Sequence, residues 1–123
     1  MKEALITVLV VEDEILIRMD ISEALERAGF GVLEAGNADE AIAILNQRDD
    51  IRVLFTDIDM PGSMDGLRLA AAVRDKWPPI EIIVTSGHQQ MTDDNLPVDG
   101  RFFGKPYRPG QIITAVRELL RME

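Results

Sequence analysis

Residues 51–66 read IRVLFTDIDMPGSMDG. The run Val53-Leu54-Phe55-Thr56 has the length and composition of a buried strand. It delivers an aspartate, Asp57, to its end. Three other stretches repeat this arrangement. VLVV at 8–11 runs into Glu12 and Asp13, IIVT at 82–85 runs into Ser86, and FFG at 102–104 runs into Lys105. In an open parallel sheet, ligands bind just beyond the carboxyl ends of the strands. Acids, a hydroxyl and an ammonium scattered along the chain can therefore converge on one edge of one sheet.

The segments between these runs read as helices. Strands are expected at 4–11, 31–35, 52–56, 80–85 and 101–104. Ile15, Ile17, Met19, Ile21, Leu25 and Ala28 suggest a helix over 15–28, which Gly29 would stop. Asn37, three residues before Glu40, opens a second helix in the manner of a capping box, with Ala41, Ile42, Ile44 and Leu45 behind it. A third helix over 65–76 carries Leu67, Leu69, Ala70 and Val73, and Trp77-Pro78-Pro79 breaks it. A last helix over 109–121 shows Ile112, Ile113, Val116, Leu119 and Leu120 on one side. Strands alternating with helices imply βαβ units, a parallel sheet and helices on both faces. With right-handed crossovers, five strands take the flavodoxin-like order 2-1-3-4-5, which sets Glu12, Asp13 and Asp57 side by side. The stretch 87–100, GHQQMTDDNLPVDG, stands where a fourth helix belongs. Its few apolar anchors, Pro97 and Gly100 predict a short helix at most, followed by irregular chain.

The 123 residues suffice for one domain, expected to run from end to end, α/β in class. Hydrophobic residues make up 46% and charged residues 28%, a globular balance. No apolar run reaches the length of a membrane span. The opening MKEALITVLVVEDE could pass for a signal peptide, but its apolar run ends in three acids without a small-residue cleavage site. Without cysteine, disulfides and thiolate metal sites are excluded. A cytoplasmic location is expected. The net charge of −9 opposes direct binding of nucleic-acid phosphates, and suits basic partners and divalent cations.

An acid after a strand is, taken singly, most often a solvated loop residue. Together, three acids at a sheet edge form a hard, oxygen-rich site suited to Mg²⁺, or Mn²⁺. An aspartate beside such an ion can act as a nucleophile towards phosphorus. Phosphoryl transfer then needs positioning and positive charge on the equatorial oxygens, which Lys105 and the ion would supply. Ser86 can donate to a phosphoryl oxygen.

The segments VVEDE, TDIDMPGSMDG, TSGH and GKPY resemble, in this order, the signatures of a response-regulator receiver domain of two-component signalling. The resemblance covers essentially the whole chain. It implies that Asp57 accepts a phosphoryl group from a phosphohistidine on a sensor kinase or histidine phosphotransfer protein. It makes Glu12 and Asp13 the acidic metal pair, with Asp57 and the backbone carbonyl of Asp59 completing the protein ligands. Ser86 takes the switch hydroxyl position, Phe102 the aromatic switch position, and Lys105 the phosphate-pairing position before a proline joined by a cis peptide. Thr85, next to Ser86, is then a strand-packing residue. Such a domain is a regulatory phosphoacceptor rather than an enzyme. It changes partner affinity through the face of strands 4 and 5 and the last helix, towards a downstream protein or a phosphorylation-linked homodimer. Asp59 and His88 stand where they could tune dephosphorylation, against the plainer reading of both as exposed loop side chains.

The sequence departs from that family in two places. The loop from Asp57 to Gly66 is one residue longer than the commonest form. The interval from Ser86 to Lys105 is a few residues short, which puts the fourth helix and the usual output geometry in question. Trp77 reads as a packing cap, Arg68 and Arg74 as a solvated helix face, the methionines as core filler or surface, and Tyr107 as a residue of the partner face. No output domain accompanies the strands and helices, so the chain would act alone through protein contact or as a piece of something longer. Two other functions compete. The FTDID stretch resembles the nucleophile motif of haloacid dehalogenase-type phosphatases, although those place it on the first strand and their acidic pair after the lysine. A phosphorylation-independent interaction module is opposed by the intact set Glu12, Asp13, Asp57, Ser86 and Lys105.

Overall fold

A computed structural model describes residues 5–60, 64–88 and 91–122. Five strands and four α-helices alternate: β1 (Thr7–Val11), α1 (Ile15–Arg27), β2 (Gly31–Ala35), α2 (Ala38–Gln47), β3 (Ile51–Asp57), α3 (Gly66–Lys76), β4 (Glu81–Ser86), β5 (Arg101–Gly104) and α4 (Pro109–Leu119). All neighbouring strands pair in parallel, in the order β2-β1-β3-β4-β5. The central strands are apolar on both faces because helices cover both. Leu9, Val11, Leu54, Ile82 and Val84 face one cluster, completed by Ala41 and Leu45 of α2 and Leu69, Ala70 and Val73 of α3. Val8, Val10, Val53, Phe55 and Ile83 face the other, with Ile21 and Leu25 of α1 and Ile112, Ala115 and Val116 of α4. Strand alternation thus divides one sheet between two cores. Truncating a fully buried leucine such as Leu54 costs about 2–5 kcal/mol.

The helix ends follow local chemistry. Gly29 has φ +99°, and its N–H and that of Phe30 return to the carbonyls of Glu26 and Leu25 at 3.0 and 3.1 Å. This is a Schellman stop, with Phe30 packing in the same cluster as Leu25. The Asn37 side chain accepts from the Glu40 N–H at 2.9 Å, and the Glu40 carboxylate takes the Gly36 N–H at 2.9 Å. The expected capping box therefore closes one residue early. Asp65 caps α3 through the Arg68 N–H at 2.9 Å. Arg68 itself is exposed, as expected.

Two expectations need correction. In α1, Ile15 and Met19 are 61% and 52% exposed, and Leu16 is 80% exposed. The two-residue spacing of 15, 17, 19 and 21 runs around a helix rather than along one face. Arg74 does not point into solvent alone: it donates to the carbonyls of Pro78 at 2.6 Å and Asp99 at 2.8 Å. It ties the end of α3 to the chain before β5. Tyr107 is half-buried and meets Phe55 edge-on, with ring centroids 5.6 Å apart.

Among the described residues of the β4–β5 connection there is a 3-10 turn, Asp93–Asn95, capped reciprocally by Thr92 and Asn95. Met91, Leu96 and Val98 pack against the α2/α3 core where a helix would have laid an apolar face. Asp93 accepts the Phe102 N–H at 2.9 Å. Arg101 pairs with Asp93 at 3.8 Å and with Glu118 of α4 at 2.9 Å. Trp77 packs partly buried on the same core. Met60 is buried there and Met64 partly so, whereas Met19 and Met122 are exposed. Part of the long loop after Asp57, residues 61–63, lies outside the described residues. No helix among the described residues is long and apolar enough to cross a membrane.

Candidate functional site

The site is built by strand pairing. β1 and β3 are neighbours, so Val11 lies opposite Thr56, and the residues that follow them, Glu12 and Asp57, emerge together. The Ile58 N–H bonds the Thr85 carbonyl at 2.8 Å, and the Lys105 N–H bonds the Ser86 carbonyl at 2.9 Å. The ladder thus continues past the strand ends and sets Lys105 beside Ser86. Gly66 closes the rim from α3: a Cβ at that position would stand 1.9 Å from the Asp57 carbonyl oxygen. No other residue type fits there without moving the aspartate.

Glu12 is fully buried and Asp57 almost so, while Asp13 is half-buried. Their carboxylate oxygens lie within 4.8 Å of one another. Lys105 Nζ lies between two of them, donating to Glu12 Oε1 at 2.9 Å and Asp57 Oδ2 at 3.0 Å. The remaining Asp57 oxygen accepts the Asp59 N–H at 3.1 Å, and Glu12 Oε2 accepts the Glu14 N–H at 3.1 Å. Burial pushes the Glu12 carboxyl up to about 7, aided by the Asp57 charge and opposed by Lys105. Burial works against the Lys105 ammonium, but its hydrogen bonds to Glu12 and Asp57 outweigh that and raise it above its usual value. Burial, with the Glu12 charge, also raises the Tyr107 hydroxyl.

One lysine does not neutralise three crowded carboxylates, a deficit that a divalent cation would offset. The donor set is all oxygen, so it fits a hard divalent cation such as Mg²⁺. The adjacent hydroxyl is ordered as well. Ser86 Oγ donates to Asp59 Oδ2 at 2.7 Å and accepts the His88 N–H at 3.1 Å. Asp59 therefore faces the site, whereas exposed His88 reaches Ser86 through its main chain. Thr85 is fully buried, and its hydroxyl has no hydrogen-bond partner among the described residues, which suits a packing role. Phe102 is half-buried against the α2/α3 core, opposite Val84 in register. The Lys105-Pro106 peptide is cis, as expected.

Arg18 escaped the sequence reading. It donates from α1 to the Glu12 carbonyl at 2.8 Å and to Glu34 at 3.3 Å, which fixes the turn that carries the acidic pair. Its signal was a long cation in the second turn after an acidic strand end. Beside the site, Leu16, Ile17, Asp20, Lys105, Pro106 and Tyr107 line a groove of about 580 Å³.

The five-stranded sheet is flavodoxin-like, and its rim is acidic and bridged by lysine. Residues 8–117 match the family model of the response regulator receiver domain. The chain belongs to that family. It is 36% identical over 121 residues to the sensor kinase CckA of Brucella abortus, covering 95% of this chain and 13% of that protein. The chain spans less than half the length of several curated relatives that it matches. The crystal structure of a response regulator receiver protein from Sinorhizobium medicae WSM419 is similar over 95% of both chains, with a TM-score of 0.87 and 31% identity. Response regulator TrrA of Thermotoga maritima, in complex with Mg(2+)-BeF, is similar with a TM-score of 0.81 and 26% identity, over 92% of this chain and 97% of that one.

Proposed function

We propose that the chain is a phosphorylation-dependent signalling switch whose phosphoacceptor is Asp57. The carrying observation is Lys105 Nζ seated between Glu12 and Asp57, within a group of three carboxylates whose oxygens lie within 4.8 Å. Asp57 attacks the phosphorus of a phosphohistidine. A P–O bond forms as the P–N bond breaks, and its electron pair returns to the imidazole. Lys105 stabilises the charge on the transferring oxygens. Glu12, Asp13, Asp57 and the Asp59 carbonyl would hold Mg²⁺, which when bound supplies further positive charge to the phosphoryl oxygens. Ser86 donates to the phosphoryl group, and Phe102 responds by repacking against the core around Val84. The altered face comprises β4, β5 and α4. Attack by water on the aspartyl phosphate resets it.

The donor is a histidine kinase or phosphotransfer protein, and the setting is cytoplasmic. The groove beside Lys105 and the exposed Ile15, Leu16 and Met19 of α1 give such a donor an apolar seat next to the acceptor. The test is acetyl phosphate with Mg²⁺, read by intact mass. Wild type gains one base-labile phosphoryl group, and neither Asp57→Asn nor chelated protein does. An unmodified wild type, or an adduct that persists in Asp57→Asn, refutes the assignment.

A further inference from the structure

We propose that Asp59 is a resting-state latch on the Ser86 hydroxyl, a positioning residue that opposes activation until Asp57 is phosphorylated. The inference rests on the phosphoacceptor reading above. Ser86 Oγ has one proton to give. A carboxylate can only accept, so in the resting protein that proton is committed to Asp59 Oδ2, 2.7 Å away. The same oxygen takes the Gly87 N–H at 3.2 Å. The His88 N–H, 3.1 Å from Ser86 Oγ, orients the hydroxyl from behind. Charge-assisted bonds of this kind are the stronger class. Donation to a phosphoryl oxygen on Asp57 and donation to Asp59 are mutually exclusive.

Asp59 is also tied to the acceptor. Its own N–H bonds Asp57 Oδ1 at 3.1 Å, so one residue touches both the acceptor and the sensor. Phosphorylation adds negative charge two residues from the Asp59 carboxylate. It offers Ser86 a new acceptor and repels the old one in the same event. The latch thereby keeps Ser86 from moving in the absence of the phosphoryl group, and it sets how much activation each phosphorylation yields.

Beryllofluoride with Mg²⁺ is titrated into wild type, Asp59→Ala, Ser86→Ala and the double variant, followed by the Gly87 amide resonance. Asp59→Ala binds roughly tenfold tighter than wild type, the factor for about 1.4 kcal/mol. In the Ser86→Ala background the gain shrinks to about twofold, the scale of a screened charge alone. The Gly87 amide shifts on Asp59→Ala even without ligand. Equal gains in both backgrounds, or none, overturn the latch while leaving the acceptor in place. No saturation by any of the four proteins overturns the phosphoacceptor reading and the latch with it. Asp59→Asn, which keeps the size and loses the charge, gives an intermediate gain and serves if Asp59→Ala does not fold.

Discussion

The rim that joins β1 to β3 and the connection that joins β4 to β5 are held by different means. At the rim the main chain does the holding: ladder bonds run on past the strand ends, Asp57 is almost wholly buried, and Gly66 presses α3 onto its carbonyl. In the connection, side chains hold a stretch with little regular structure. Arg74 reaches the Asp99 carbonyl, Asp93 takes the Phe102 N–H, and Met91, Leu96 and Val98 supply apolar contact. Groups that must meet to within an ångström sit where the backbone fixes them. The face that would meet a partner is assembled from exposed, individually weak contacts.

That contrast can be broken at the rim first. Gly66→Ala has no room for its methyl, and should cost about 3 kcal/mol in denaturant unfolding and remove acetyl phosphate labelling. Labelling at the wild-type level would show that the rim yields more easily than the close approach implies. Glu12 tests the electrostatics of the same rim. Its carboxyl rises from 4.5 to about 7 on folding, so the folded state holds a proton that the unfolded chain has released. Metal-free wild type should therefore lose stability relative to Glu12→Gln as pH rises from 4.5 to 7, by up to about 3 kcal/mol, and level off above. Parallel pH profiles for the two proteins would contradict the burial argument.

Changes in the connection should be gentler. Arg74→Ala and Asp93→Ala are each expected to cost about 1 kcal/mol. Both should leave Asp57 labelling intact, and a loss of labelling would mean that the two regions are coupled. The smallest effect runs the other way. Thr85→Val removes a buried hydroxyl without a partner among the described residues, and should stabilise by about 0.5–1 kcal/mol, measured by thermal unfolding.

The same contrast explains what could be read from sequence. Asp57 and Ser86 were visible because each ends an apolar run, and strand order follows from general rules of connection. The 3-10 turn agrees with the expectation of a short helix at most. Its anchors, Met91, Leu96 and Val98, have neither the period of a helix nor that of a strand, so their burial was not legible. Arg74 looked like surface because its acceptors are carbonyls, which carry no signature in sequence. The exposed apolar start of α1 misleads for the opposite reason: its residues are hydrophobic, but no neighbouring element covers them. The bond between Asp59 and Ser86 joins positions 27 apart, and only their meeting in space reveals which way Asp59 faces.

One contact in the connection has a consequence for how copies of the molecule behave towards one another. β5 is the outer strand of the sheet beyond β4, and such strands invite another chain to extend the sheet. The Phe102 N–H is already taken by the Asp93 carboxylate. A foreign strand would have to displace a negatively charged plug and break the Arg101 pair to add itself there. The short turn thus works as a guard against edge-to-edge pairing of sheets. Asp93→Ala should be the variant most prone to aggregate.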